Sequence, residues 1–476
     1  MSFNGECAAH AVVIVLEKIS ARTVNADGGS DEFYFYRAGW TMIPVKRLKG
    51  LSKSELDSLF NRFGEDFSDI MVNTVVPIVN EVRARGDVAV RKYTERFDGA
   101  TLDTLMVSPD EIETATAHFD ARTLDAFRKA KENIEEFHGH QRRESIRYTR
   151  TDGTTLGVQY EPIESAGLYV PGGKASYPSS VLMGAIPAQI AGVREITVIT
   201  PPDRSGNVPD AVLAVCGILG VTRVLKSGGA QGIAASGFGT ETVPKADIIV
   251  GPGNIYVTAA KTYLFSMGII QIDSMAGPSE VLIIADESAD PLWVAFDFLS
   301  QAEHEERALA VLVTTSEKLA KNVIAEIEKD IARGGGRIDI KKKALERAVI
   351  ILVDSIDEAI EFSNRYGPEH MEFMVPEPLA YLDRIRNVGS LFLGTHAPVA
   401  VGDYYSGTNH ILPTGGAARF SSGVSVETFL RRTTYQHLTP EALRGALEPV
   451  MTMARVEGFE DKHGGSLQVR FSTQAP

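Results

Sequence analysis

Two cysteines, Cys7 and Cys216, are all that 476 residues carry. Neither belongs to a C-x-x-C pair. This excludes a disulfide framework and a thiolate metal site, and it predicts a reducing, cytoplasmic setting. Basic charge is short as well: 48 Lys and Arg against 62 Asp and Glu leave a net charge of −14. A nucleic-acid partner needs a basic surface, so that class is excluded. A local site for an anionic cofactor is not. Long apolar runs are missing too. The longest near the start, Ala11 to Leu16, is far too short to span a bilayer, and no basic segment precedes it as in a signal peptide. Repeats, heptads and low-complexity tracts are also absent.

What is present reads as a large protein with ordinary globular composition, 44% hydrophobic and 23% charged, long enough for two or more domains. Residues 1–42 read as a poorly ordered extension, with Met42 an alternative start. Residues 54–145 carry apolar positions at helical spacing, such as Val75, Val79 and Val82, and predict a helical layer broken at Gly86-Asp87. From about residue 160, short β-branched runs alternate with helical stretches. Glu195–Thr200, Arg223–Lys226 and Asp247–Val250 are strands in this reading, followed by Val281–Ile284, Ala308–Val313, Val349–Val353 and Leu391–Leu393. This alternation is the signature of βαβ units on parallel sheets. From Val426 the period is helical again, through Phe429, Leu430, Leu443 and Met451.

Several places could carry chemistry. In Gly367-Pro368-Glu369-His370 a helix breaker precedes an acid and an imidazole, which can enter one cleft as a carboxylate and a base. The same four residues also fit a plain surface turn. Ser227-Gly-Gly-Ala-Gln231 and Gly251-Pro-Gly-Asn254 end strands and open helices. Backbone N–H groups there favour an anion, although neither turn is G-x-G-x-x-G or a P-loop. Gln301 and His304 share a helix face, and Asp403 and His410 lie in a Gly/Ser/Thr-rich loop. Glu457 and His463 come near the C-terminus. A set of Gln, His, Asp and His donors suits Zn²⁺ or Mn²⁺, but spacing alone does not make these residues converge.

Longer runs carry a resemblance. Gly167–Lys174, Tyr177–Val181, Gly228–Gln231, Gly251–Val257, Ala276–Leu282, Ser300–His304, Tyr366–His370 and Gly402 through Pro413 resemble, in order, the histidinol dehydrogenase family from about Pro44 to Arg470. The resemblance implies a fold of two intertwined Rossmann-like parallel-sheet units with a helical N-terminal layer and a helical C-terminal tail. Residues 43–168 with 279–424 would form the first unit, with the catalytic pair and metal site. Residues 169–278 would be the inserted, NAD-binding second unit, and 425–476 the tail. It also implies a four-electron oxidation of L-histidinol by NAD, with Glu369 and His370 as the catalytic pair. Zinc would be held by Gln301, His304, Asp403 and His463. Substrate contacts would fall to Ser279, Gln301, His304, His370, Asp403, Glu457 and His463, and NAD contacts to Tyr169, Gln231 and Asn254. His410 falls close to the site. The family forms homodimers in which the tail completes the partner's site.

The sequence departs from the family pattern twice. Ala397–Val401 lacks the acid that many relatives carry after the proline, and one extra residue separates Glu457 from His463. A related zinc/NAD dehydrogenase of another polar alcohol, such as a sulfonated diol, is the alternative enzyme reading. A catalytically dead binding protein is the alternative outside enzymes, and retention of Glu369 and His370 speaks against it.

Overall fold

A computed structural model describes residues 17–24, 30–37, 43–62, 67–172, 176–275 and 277–472. In chain order, β1 (Glu17–Val24), β2 (Ser30–Arg37) and β3 (Pro44–Arg47) come first. The first two form an antiparallel hairpin, so the segment expected as a poorly ordered extension carries two strands; its remaining residues, Cys7 among them, lie outside the described ones. Helices then run from Lys53 to Gly139 in several pieces. The break expected at Gly86-Asp87 is a kink inside the helix Val76–Asp98, where Gly86 takes φ +51°.

Next come β4 (Ile146–Thr149), β5 (Thr155–Pro162), β6 (Ser165–Tyr169), β7 (Glu195–Thr200), β8 (Arg223–Lys226), β9 (Ile248–Val250) and β10 (Gln271–Ile272). Then follow β11 (Glu280–Ala285), β12 (Leu309–Thr314), β13 (Val349–Leu352), β14 (His370–Met374), β15 (Ser390–Leu393) and β16 (Leu430–His437).

These strands make three sheets. The first has the order β1-β2-β3-β13-β12-β11-β14-β15, the second β10-β9-β6-β7-β8, and the third β16-β5-β4. The second sheet is parallel throughout, and so is the first from β3 onward. Every residue of β11, β12 and β13 is buried, as expected for parallel strands covered on both faces. Alternate residues feed separate cores. Val281 and Ile283 pack with Phe298 and Leu312 on one face; Leu282 and Ile284 pack with Phe362 and Phe373 on the other.

Counted from its own first strand, the second sheet runs 3-2-1-4-5. The strand order reverses between β6 and β9, and a ligand crevice forms at the carboxyl ends beside such a reversal. In the first sheet the strands from β11 onward repeat the same order, with their reversal between β11 and β14.

The third sheet corrects the reading of a purely helical tail. Leu430–His437 pairs antiparallel with β5 along its full length, and helix is confined to a short 3₁₀ turn at Val426–Phe429, to Pro440–Val456 and to the segments after it. The reason is local. The run Arg431-Arg-Thr-Thr-Tyr-Gln436 is β-branched, aromatic and polar, and it has no apolar stripe for a helix to bury. Among the described residues, no helix is long and apolar enough to cross a membrane.

Candidate active site

The helix Ile356–Tyr366 stops where Gly367-Pro368 predicts. Gly367 takes φ +63°, and a Cβ there would stand 3.1 Å from the Gly416 carbonyl oxygen. The chain then turns into β14, with Glu369 just before the strand and His370 as its first residue. Each is only 5% exposed, so the surface-turn reading fails.

Both residues hang on the backbone of Glu280, the first residue of neighbouring β11. Its N–H donates to Glu369 Oε2 at 2.7 Å, and its carbonyl accepts from His370 Nδ1 at 3.2 Å. A carbonyl only accepts, so Nδ1 carries the hydrogen and Nε2 keeps the free lone pair of the neutral ring. Nε2 has no hydrogen-bond partner among the described residues and lies 3.6 Å from Asp403 Oδ1.

Charge is finely set here. Burial pushes the Glu369 carboxyl up to about 8. Burial alone would lower His370, but the carboxylates of Glu369 and Asp403 on either side outweigh it and raise the imidazole to about 9. Asp403 is lowered: burial is overcome by His370, with His410 and His304 adding to the pull.

His304 follows the helix Pro291–Ala302, and Gln301 lies in its last turn. His304 is lowered mainly by burial, and it feels both Asp403 and His370. Gln301 is 3% exposed, and its amide nitrogen has no partner among the described residues. His410, expected close to the site, belongs to this cluster: its Nδ1 donates to the Asp403 carbonyl at 3.0 Å, and its Nε2 lies 3.3 Å from Ser180 Oγ. Ser279 stands directly before Glu280, its N–H 3.3 Å from Glu305 Oε1. A cavity of about 500 Å³ opens at His304 between Tyr177, Ser179, Glu303 and Tyr404.

Glu457 and His463 do not join this cluster. Both are exposed on the C-terminal arm, where His463 packs its ring against Phe459. Among the described residues no three of His, Cys, Asp and Glu form a ready metal cage. What one chain offers is Gln301, whose buried amide can turn its oxygen toward a metal in place of the unpartnered nitrogen, His304 and the ionised Asp403. That set has the nitrogen and oxygen donors zinc accepts, and it leaves room for one more ligand.

The three residues expected to contact NAD line one cavity of about 670 Å³ at the carboxyl ends of the second sheet. Tyr169 ends β6, and its hydroxyl accepts from the Gly229 N–H at 3.4 Å. Gln231 is 1% exposed and leaves its side-chain oxygen unpartnered among the described residues. Asn254 caps the helix Ile255–Ser266 through Oδ1, which keeps its amide N–H groups available. Gly251 is obligatory: at φ +118° a Cβ would sit 2.2 Å from the Tyr169 carbonyl oxygen. Sequence reasoning missed Asp98 and Arg204 on the same wall. Burial raises the Asp98 carboxyl to about 6. Neither residue sits in a motif, so no sequence signal marked them. This cavity thus uses the carboxyl ends of one sheet, and the Glu–His pair uses the amino ends of the other.

Comparison with known proteins settles the kinship. The histidinol dehydrogenase family model matches residues 61–471. The chain belongs to the histidinol dehydrogenase family. Membership makes it an oxidoreductase. The histidinol dehydrogenase of Leptospira biflexa is 47% identical over 429 residues, 90% of this chain and 98% of the relative. That of the archaeon Methanocaldococcus jannaschii is 46% identical over 417 residues, 87% of this chain and 96% of the relative. The crystal structure of the Elizabethkingia anophelis histidinol dehydrogenase superposes with a TM-score of 0.83 at 40% identity, covering 89% of this chain and 97% of that one.

A pair of carboxyl groups lies next to the Glu369–His370 pair. Glu372, two residues along β14 from His370, accepts the Val399 N–H at 2.8 Å and so caps the helix Val399–Tyr404 that carries Asp403. Its side chain meets Asp297 on the helix that carries Gln301. Two buried carboxylates in contact share a proton. Burial first, then the Asp297 charge, raise Glu372 from 4.5 to about 8. A carboxyl whose pKa is raised on folding contributes stability below its unfolded pKa. It loses that contribution as pH climbs through the folded one. Glu372→Gln, which keeps the cap, is therefore expected to flatten the fall in stability between pH 4.5 and about 8. Urea midpoints of both proteins across that range check this, and parallel profiles would refute it.

Proposed function

We propose that this chain oxidises L-histidinol to L-histidine through L-histidinal, passing one hydride to NAD in each of two steps. The observation that carries the reading is the Glu369–His370 pair, buried and held from both sides of a single residue, Glu280.

In the first step His370 Nε2 takes the proton of the alcohol while the carbinol hydride leaves for the nicotinamide. The aldehyde then adds water, activated by Glu369, and the resulting diol loses its own proton and hydride to yield the acid. The base must be neutral to act. With the ring held near 9 by its two carboxylate neighbours, turnover depends on relief of that charge in the loaded site.

Gln301, His304 and Asp403 are the residues of this chain that would hold zinc. Bound there, the ion would supply a Lewis-acid anchor for the imidazole and amine of the substrate and offset the charge of Asp403. NAD would lie along Tyr169, Gln231 and Asn254. The exposed placement of Glu457 and His463 suits a homodimer in which each arm completes the neighbouring site, with His463 as fourth ligand and Glu457 as substrate contact. In this reading β3 and β11–β15 form the catalytic unit; the sheet from Ser165 to Ile272, which joins the unit expected at 169–278 with β6 and the helices packed on it, forms the cofactor unit; and 425–476 carries the exchanged arm, in the cytoplasm.

The deciding experiment is the NADH yield per L-histidinol. Two NADH, lost on chelation and recovered with zinc, is the expected result. No NADH from histidinol would sink the reading and turn attention to other polar alcohols.

A further inference from the structure

Arg62 follows the helix Lys53–Phe60 and reaches Glu280 across 218 positions of chain. Its Nε donates to Glu280 Oε2 at 2.6 Å and its Nη2 to Oε1 at 3.0 Å, a forked pair. The two side chains are 5% and 0% exposed. The Gly415 N–H donates to the same Oε1 at 3.1 Å. Arg62 Nη2 also donates to the Tyr366 carbonyl at 2.9 Å, and the guanidinium lies 3.5 Å from the centroid of the Tyr366 ring. Stability alone does not account for such a pair, since burying two charges roughly cancels their attraction.

What the pair does hold is the amino end of two strands. Glu280 begins β11, and its backbone carries the hydrogen bonds to both Glu369 and His370. Tyr366 and Gly367 form the turn that leads into Glu369. One guanidinium therefore ties the residue from which both reacting groups hang to the turn that delivers them.

We infer that Arg62, acting through Glu280, is a positioning residue that sets the placement of the catalytic pair for both oxidation steps. The inference rests on the proposed roles of Glu369 and His370. Arg62 touches no reacting atom. Its effect runs through about 1 Å of backbone placement, a displacement on the order of 10²-fold in rate. Lysine keeps the charge and loses the fork, so Arg62→Lys removes geometry and leaves the burial of a cation.

The test compares the parent protein, Arg62→Lys, Glu280→Gln and the double variant, each with zinc per chain and thermal melting measured first. L-Histidinol and L-histidinal are supplied as separate substrates with NAD. In Arg62→Lys, kcat is expected to fall about 10- to 100-fold with either substrate, with KM for histidinol within about threefold and zinc content unchanged. The double variant is expected to be no worse than the poorer single one, because the two residues act as a unit. Unchanged kcat in Arg62→Lys, or a loss that merely follows lost zinc or a melted protein, overturns the inference. So does a loss confined to one substrate. Absence of NADH in the parent protein fails the underlying reading instead, which keeps the two failures apart.

Discussion

His370→Asn is expected to lower NADH formation from L-histidinol by about 10²- to 10⁴-fold while zinc stays bound. Asparagine can still place an N–H against the Glu280 carbonyl, where Nδ1 now sits at 3.2 Å. What it cannot supply is the second nitrogen. Nε2 is the atom without a hydrogen-bond partner among the described residues, and it lies 3.6 Å from Asp403 Oδ1. The strand should survive, because the change leaves Met371 and Phe373 in their cores. None of the residues proposed to hold zinc is altered, so metal analysis should read the same in both proteins. Steady-state rates and atomic absorption on one preparation check both halves of the statement. Near-normal turnover would remove His370 from the role of base.

Glu369→Gln should split the reaction. Oxidation of the alcohol is expected to continue, whereas oxidation of the aldehyde falls by about 10²-fold or more, so NADH per histidinol drops from two toward one. The carboxylate holds the Glu280 N–H through Oε2, a bond that glutamine's oxygen can keep. Burial lifts its pKa to about 8, near the operating pH, which is where a general base for water is most effective. Glutamine has the shape without the basicity. Trapping of L-histidinal by a carbonyl reagent gives the direct reading. A variant that still delivers two NADH at the parent rate would assign water activation to another group.

Much of the fold was legible because parallel strands announce themselves. Val281–Ile284 and Ala308–Val313 are continuous apolar runs between helices, and they became β11 and β12. The break at Gly367-Pro368 was legible from backbone chemistry, and the Glu–His pair from the motif around it. Strands β4, β5 and β16 were not legible. The side chains of β4 and β16 are largely solvent-facing and most of those of β5 are half-buried, so no clean apolar alternation marks them, and they exist through pairing with each other. Within the site, spacing could suggest that Gln301 and His304 share a face. It could not bring Asp403 to His304, because only the fold of the loop after β15 does that. Arg62 left no trace at all, being a single cation after a short helix. Glu280 was visible only inside the run Ala276–Leu282, as a neighbour of Ser279. The exposed Glu457 and His463 mark the limit of reading one chain: if they serve a neighbouring subunit, as proposed, one chain does not reveal it.

The way strand order maps onto sequence also bears on synthesis. All five strands of the second sheet lie between Ser165 and Ile272, so that sheet can close soon after its last strand leaves the ribosome. The first sheet cannot. Its β3 pairs with β13, and Arg62 must wait for Tyr366, 304 positions downstream. At roughly 5–20 residues per second, the second sheet stands complete on the order of 5–20 s before His370 is even made. During that interval Arg62 has Glu280 but lacks the Tyr366 carbonyl and ring that fix it, and β3 waits for β13. The nascent protein acquires the crevice of Tyr169, Gln231 and Asn254 early and the Glu369–His370 pair late, and premature release would yield a chain with the first and not the second.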